Sequence, residues 1–366
     1  MIDSKLLTLK DYIGVCMLIN KVLVLSLFFI CSLNLTVYAQ EIPSPQQALQ
    51  NFNISPAQIK QLEQGKIVSY EVNEASKKEL GIGLAMLIPV ALTKIADYIK
   101  LGNLTYTESG LIASGPLSEN ADLRSFEQFG FSNEQLGEAK SFLNAKPGDS
   151  FNLSKHEFER LKSFKIDLQG ADNKTLLKAA NEIYREFLLQ RFIAYRKRGL
   201  AGIAAYDRQR SSTDPGAELR IAAINSKALA QYFPELQQAW LNYPTTLPPK
   251  INEQFLWLNR HVEGRPTAIL IHRLIAISEK GGIVLSRQFY VGHSYNSSHI
   301  AMSGLPYKNG TLVFYSIRSS TDQVDGMGSS LKHSIGREQM RKEMIKRLQR
   351  INKDLKLKVA PIASEN

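Results

Sequence analysis

Apolar and polar positions change rhythm along this chain. In the last third, short apolar runs at 252–262, 267–277, 283–292, 295–303 and 311–319 read as five strands. Turn formers divide them: Glu263-Gly264-Arg265-Pro266, Glu279-Lys280-Gly281-Gly282 and Lys308-Asn309-Gly310. Asn309-Gly310 is a hairpin signal, because both residue types tolerate positive φ. Turns this short predict an antiparallel meander. The run at 267–277 does not alternate apolar with polar. Ile269, Ile271, Ile275 and Ile277 share one face, Leu270 and Leu274 the other. Both faces of that strand therefore need cover, from a helical part of this chain or from a second subunit. A long helix at 335–353 closes the pattern. Its seam is Met340, Met344, Leu348, Ile351 and Leu355, and Glu338–Lys342 and Glu343–Arg347 add favourable i,i+4 pairs.

The first two thirds follow other rhythms. Ser55-Pro56 marks a helix start, and 65–72 has strand character. The stretch at 80–93, LGIGLAMLIPVALT, is the most apolar outside the N-terminal leader and too short to span a bilayer as a helix. It reads as a buried helix, with Pro89 in the first turn of a helix running to Lys100; a membrane-dipping segment or a flexible lid is the alternative. From 118 to 198, Phe and Leu recur among charged residues without alternation. Helices at 132–144, 154–164 and 173–198 form a helical insertion there, the second opening on the capping-box pair Ser154 and Glu157. Residues 199–206 read as a strand, the segment from Pro215 as helix, and 241–250 as a Pro-rich connection.

A first strand, a helix, an antiparallel run of strands and a long C-terminal helix form the element order of the helix-grip fold. Over residues 65–115 and 250–355, the chain resembles the START-like superfamily in that order. The resemblance implies an α+β fold: an antiparallel sheet closed by a long C-terminal helix, here with a helical insertion. It implies a cavity between sheet and helix for an apolar or amphipathic small molecule. Residues 40–117 would supply the N-terminal strand and helix, 118–198 the insertion, and 199–366 the sheet and closing helix.

Composition adds a compartment. Residues 22–33, VLVLSLFFICSL, carry no charge, follow Lys21 and precede Val37-Tyr38-Ala39. This is a secretory leader over residues 1–39, with Gln40 as the mature N-terminus and Met17 as a cleaner start than Met1. Phe28-Phe29-Ile30 before Cys31 lacks the small residues of a lipid-attachment signal. The expected location is the periplasm or the extracellular space. Both cysteines, Cys16 and Cys31, lie in or before the leader, so the mature chain has no thiol chemistry. Net charge is +11, and residues 332–358 hold ten Lys/Arg against three Asp/Glu. Such a helix attracts an anionic membrane surface or simply presents a solvated face; export weighs against nucleic acid.

The polar cluster FYVGHSYNSSH at 289–299 holds His293 and His299, six apart. No HExxH pair or carboxylate at ligand spacing completes a zinc site, so no metal or other cofactor is expected. The segment 317–330 offers Arg318 and Asp322 to a polar ligand group; Asp322, Asp325 and Gly326 depart from a calcium loop in spacing. There is no G-x-S-x-G elbow, Walker loop or dinucleotide fingerprint. Trp257, His272, Tyr290, His293, Tyr315 and Arg318 are the candidate ligand-binding residues. A competing enzyme reading, a hydrolase or cyclase, uses His293 with Asp322 or Tyr295 in acid–base roles. It requires those side chains to converge.

Overall fold

The computed structural model describes residues 42–359 except Asp149 and Met327. The leader expected at 1–39 lies outside the described residues. Two short helices come first, α1 (Pro45–Asn51) and α2 (Pro56–Glu63), each opened by a Ser–Gln capping box followed by Pro. The strands β1 (Val68–Tyr70) and β2 (Glu79–Ile88) follow, then α3 (Leu92–Lys100) and β3 (Leu111–Leu117). The insertion contributes α4 (Leu136–Leu143), α5 (Lys155–Asp167) and α6 (Asn173–Arg198). A small hairpin, β4 (Tyr206–Asp207) with β5 (Ser212–Thr213), leads to α7 (Pro215–Ile224), α8 (Lys227–Tyr232) and α9 (Pro234–Leu241). The meander is β6 (Asn252–Val262), β7 (Arg265–Ser278), β8 (Gly281–Val291), β9 (Ser297–Tyr307) and β10 (Gly310–Ser320). A long helix, α10 (Ser329–Val359), ends the chain's described part.

The fold is α+β, as the sequence pattern predicts. Eight strands form one antiparallel sheet in the order β1-β2-β10-β9-β8-β7-β6-β3. The long early strand β2 thus pairs with the last strand, β10, while β3 closes the far edge beside β6. Helices cover both faces. On one face, α3 and α10 bury Leu84, Val284, Val313 and Ile317 against Ile95, Leu348 and Leu355. On the other, the insertion packs on Phe255, Trp257, Leu270 and Phe289, while α7 to α9 cover Leu274, Leu285 and Ala301. This explains the two-sided apolar pattern of β7: the cover comes from this chain's own helices. Every residue of β8 is buried.

Three expectations are corrected. Residues 80–88 form the strand β2, not a helix, because β10 pairs with them along their length. The helix begins only after Pro89, at Leu92, and β2 is buried along nearly its whole length. The expected strand at 199–206 is a 3-10 turn at Gly199–Gly202 followed by the two-residue β4. At the last hairpin, the turn residues are Lys308 and Asn309, and Gly310 opens β10. Glycine is needed there for a different reason: a Cβ would sit 2.3 Å from the Ile88 carbonyl oxygen.

Candidate functional site

The register sorts the candidate residues onto two faces. Phe255, His272, Arg287, His299 and Arg318 form one cross-strand row over β6 to β10. This row faces the insertion and α7 to α9. His272 Nδ1 meets the Tyr195 hydroxyl at 2.8 Å, and its Nε2 lies 2.9 Å from Glu253. Arg287 donates to the Tyr195 hydroxyl and to the Trp240 carbonyl, both at 2.8 Å. Arg318 pairs with Glu79 at 3.0 Å and donates to the Asn225 carbonyl. Trp257 donates to the Ser125 carbonyl at 2.7 Å, inside the insertion's core. A bulge between Leu270 and Ile271 turns both Phe289 and Tyr290 towards the insertion, where Tyr290 lies 4.2 Å from the Arg191 guanidinium. These residues hold layers together.

The acid–base candidates do not converge. Asp322 binds Lys78 at 2.9 Å, Arg208 at 3.1 Å and Thr213 at 2.8 Å. His293 meets Thr267 and Ser294, each at 2.7 Å, and burial and the Arg265 charge bring its pKa down to about 4. Tyr295 donates to Gln288 at 2.7 Å on the opposite face of the sheet. Among the described residues, no hydrogen bond joins these three side chains to one another, although Arg208 and Asn152 link Asp322 to the Tyr295 backbone carbonyl. His293 and His299 also part company: His299 lies beside Trp240, where burial brings its pKa down to about 3. Among the described residues, no group of three or more His, Cys, Asp or Glu is placed to hold a metal ion.

On the α10 face, a different set comes together, and it includes Tyr295 and Tyr315. Two neighbouring rows carry polar side chains amid apolar ones. Gln254, Arg273, Ser286 and Ile300 form one; Leu256, Ile271, Gln288 and Ser298 form the next. Arg260 enters from β6 and Arg347 from α10. Glu108, just before β3, lies between them: Oε1 is 2.6 Å from Arg347 and Oε2 is 3.3 Å from Arg260. Arg347 reaches the Tyr315 hydroxyl at 3.5 Å. Arg350 donates to the Thr107 carbonyl at 3.0 Å.

Charge does not balance here. Burial pushes the Glu108 carboxyl up, but Arg347, Arg260, Arg273 and Arg350 more than offset this and hold it below the usual range. Arg273, only 2% exposed, has no carboxylate hydrogen-bonded to it among the described residues; it donates to Ser286 at 3.3 Å and to Gln254 at 3.5 Å. Burial, and then the like charge of Arg347, bring its pKa down to about 10, so it stays charged at neutral pH. Arg260 Nε, Arg347 Nε and Ser298 Oγ are buried without a hydrogen-bond partner among the described residues. All three are donors. Two guanidiniums thus share one carboxylate between sheet and helix, while Arg273 on the same face has only neutral partners. The apolar wall of α3, β2 and β10 adjoins this set, with a crevice of about 20 Å³ between α3 and the sheet.

Sequence reasoning placed two tyrosines of this set and missed its arginines. Arg273, a charge inside the apolar run AILIHRLIAI, and the alternate polar pair Ser286 and Gln288 were the available signals. The Lys and Arg of the exposed side of α10 stand in solvent. Among the described residues, no helix is long and apolar enough to cross a membrane. No family model, curated protein or solved structure matches the chain.

Proposed function

We propose that the protein binds an amphipathic small molecule between the sheet and α10. The observation that carries this reading is the lining of that layer. One end is apolar, from α3, β2 and β10; the other offers buried donors that the protein leaves without acceptors. Unsatisfied buried donors cost about 1–3 kcal/mol each, so a ligand that supplies acceptors gains that free energy on binding. A pocket of mostly apolar walls with a few placed polar groups is the usual form of a small-molecule site. The helix-grip resemblance puts a ligand in the same layer. The crevice of about 20 Å³ holds roughly one water molecule, so a ligand enters by displacing the cover. We also propose that the protein works outside the cytosol, on the strength of the leader pattern at 1–39.

Calorimetric titration with dodecyl maltoside and dodecyl phosphate, each below its micelle concentration, tests the reading. Saturable binding of one molecule per chain to at least one of them is expected. So is a loss of binding in Val284→Asp, which puts a charge on the apolar wall. Heat of dilution alone with both amphiphiles sinks the proposal.

A further inference from the structure

Resting on that reading, we infer that the polar end of the site takes an oxyanionic head group, and that Glu108 is the internal stand-in for it. Arg260 and Arg347 converge from β6 and α10 on one carboxylate, and Arg273 of β7 lies on the same face of the sheet with only neutral hydrogen-bond partners. Burying an ion costs several kcal/mol even after relaxation, and the attraction of a partner offsets this only with good geometry. Glu108 gives Arg347 and Arg260 that partner. It leaves Arg273 with neutral acceptors and leaves two guanidinium Nε atoms unused. A phosphate offers more oxygens and more charge than one carboxylate, and guanidiniums bind it in bidentate fashion. It would satisfy the donors that Glu108 does not reach.

The segment carrying Glu108 is built to give way. It runs between Gly102 and Gly110, at φ 79° and 65°, a left-handed backbone that other residues adopt at a cost. Leu104 anchors it in the apolar layer. On either side of that anchor, Leu101 is 78% and Tyr106 is 73% exposed, so apolar packing does little to hold them. Beyond Leu104, the ties to the body of the protein are ionic or polar: Glu108 to Arg260 and Arg347, Arg350 to the Thr107 carbonyl, and the His261 N–H to the Gly110 carbonyl. An anion that takes over the arginines releases the first of these ties. In the described state, the chain's own carboxylate occupies the head-group position and the site is closed.

Removing the stand-in should therefore improve binding, the reverse of what a contact residue does. Calorimetry with dodecyl phosphate, dodecyl maltoside and inorganic phosphate on the full chain reads this directly. Glu108→Gln is expected to bind dodecyl phosphate at least tenfold more tightly than the unaltered protein. Arg273→Met and Arg347→Met are expected to bind it at least tenfold more weakly. Hydrogen exchange at residues 105–110 of the unaltered protein should speed up when dodecyl phosphate is added. Dodecyl maltoside binding as tightly as dodecyl phosphate overturns the anion assignment while leaving the amphiphile reading in place. Unchanged or weaker binding by a folded Glu108→Gln overturns the stand-in. If that variant does not fold, unaltered exchange at 105–110 overturns it instead. Inorganic phosphate binding as tightly as dodecyl phosphate, with the same gain in Glu108→Gln, supports the anion site and defeats the apolar-tail part of the function.

Discussion

His272, His293 and His299 are all nearly inaccessible to solvent, and burial lowers their pKa values to about 4, 4 and 3. Each is therefore neutral in the fold at pH 6, while an unfolded chain binds a proton near 6.5. Because the folded pKa is depressed, the stability they allow is complete above 6.5 and is lost as pH falls towards 4. Each group contributes a loss of about 1.4 kcal/mol per pH unit across that window. Glu218 runs the other way. Burial raises its carboxyl to about 7, against hydrogen bonds from Asn296 and Ser297 that lower it. Its contribution is complete below 4.5 and fades as pH rises through 7. Three groups outweigh one, so urea unfolding should show stability falling by a few kcal/mol between pH 7 and pH 5. His299→Phe should make that fall shallower by about one proton's worth. Equal slopes for the two proteins would contradict the neutral, buried imidazole. At this scale, His272 is visible in the sequence as a polar residue in an apolar run. Its partner Tyr195 is 77 positions away, and nothing local connects them.

Among the elements, the meander and the closing helix follow from local pattern, whereas β2 does not. A continuous apolar run is compatible with a buried helix or a strand buried on both faces, and periodicity alone does not separate them. What separates them is β10, more than 220 positions later, which pairs with β2 from Glu79 to Ile88. The glycines in β2 also serve its other neighbour. At Gly83, a Cβ would stand 2.5 Å from the Tyr70 ring and 2.7 Å from the Tyr70 carbonyl oxygen. Gly83→Val should therefore lift β1 off the sheet, at about 1–3 kcal/mol for the forced overpacking. Hydrogen exchange is expected to rise at residues 68–70, with β8 and β9 still protected. Protection at 68–70 equal to that of the unaltered protein would show that the close approach is not required.

For the whole molecule, the decisive feature is a sheet clothed on both faces. The insertion is not an ornament on a finished domain: Phe255, Trp257, Leu270 and Phe289 are buried against it. Replacing 118–198 by a flexible linker uncovers several large side chains, each worth about 1.5–3 kcal/mol of burial. Typical domain stability is 5–15 kcal/mol, so the shortened chain should not fold. Gel filtration and near-ultraviolet circular dichroism should show aggregated or unstructured material. A monomer that unfolds cooperatively would mean that the sheet stands without its cover.

The sequence by itself determined the strand meander, its turns, the two-sided burial of β7 and the capped helices. Each is encoded in side-chain periodicity or in turn and cap chemistry within a dozen residues. Tertiary structure decided the rest. It paired β2 with β10, assigned His272, Trp257, Tyr290 and Arg318 to the insertion side, and gave the side chains of His293, Asp322 and Tyr295 different partners. It also brought Glu108, Arg260 and Arg347 together from three distant segments under α10, on the sheet face that carries Arg273. The physical reason is that periodicity specifies which face of an element is buried, whereas electrostatic partnership depends on which elements meet. That meeting is set by packing across hundreds of positions, and it leaves no local trace beyond a charged residue in an apolar run.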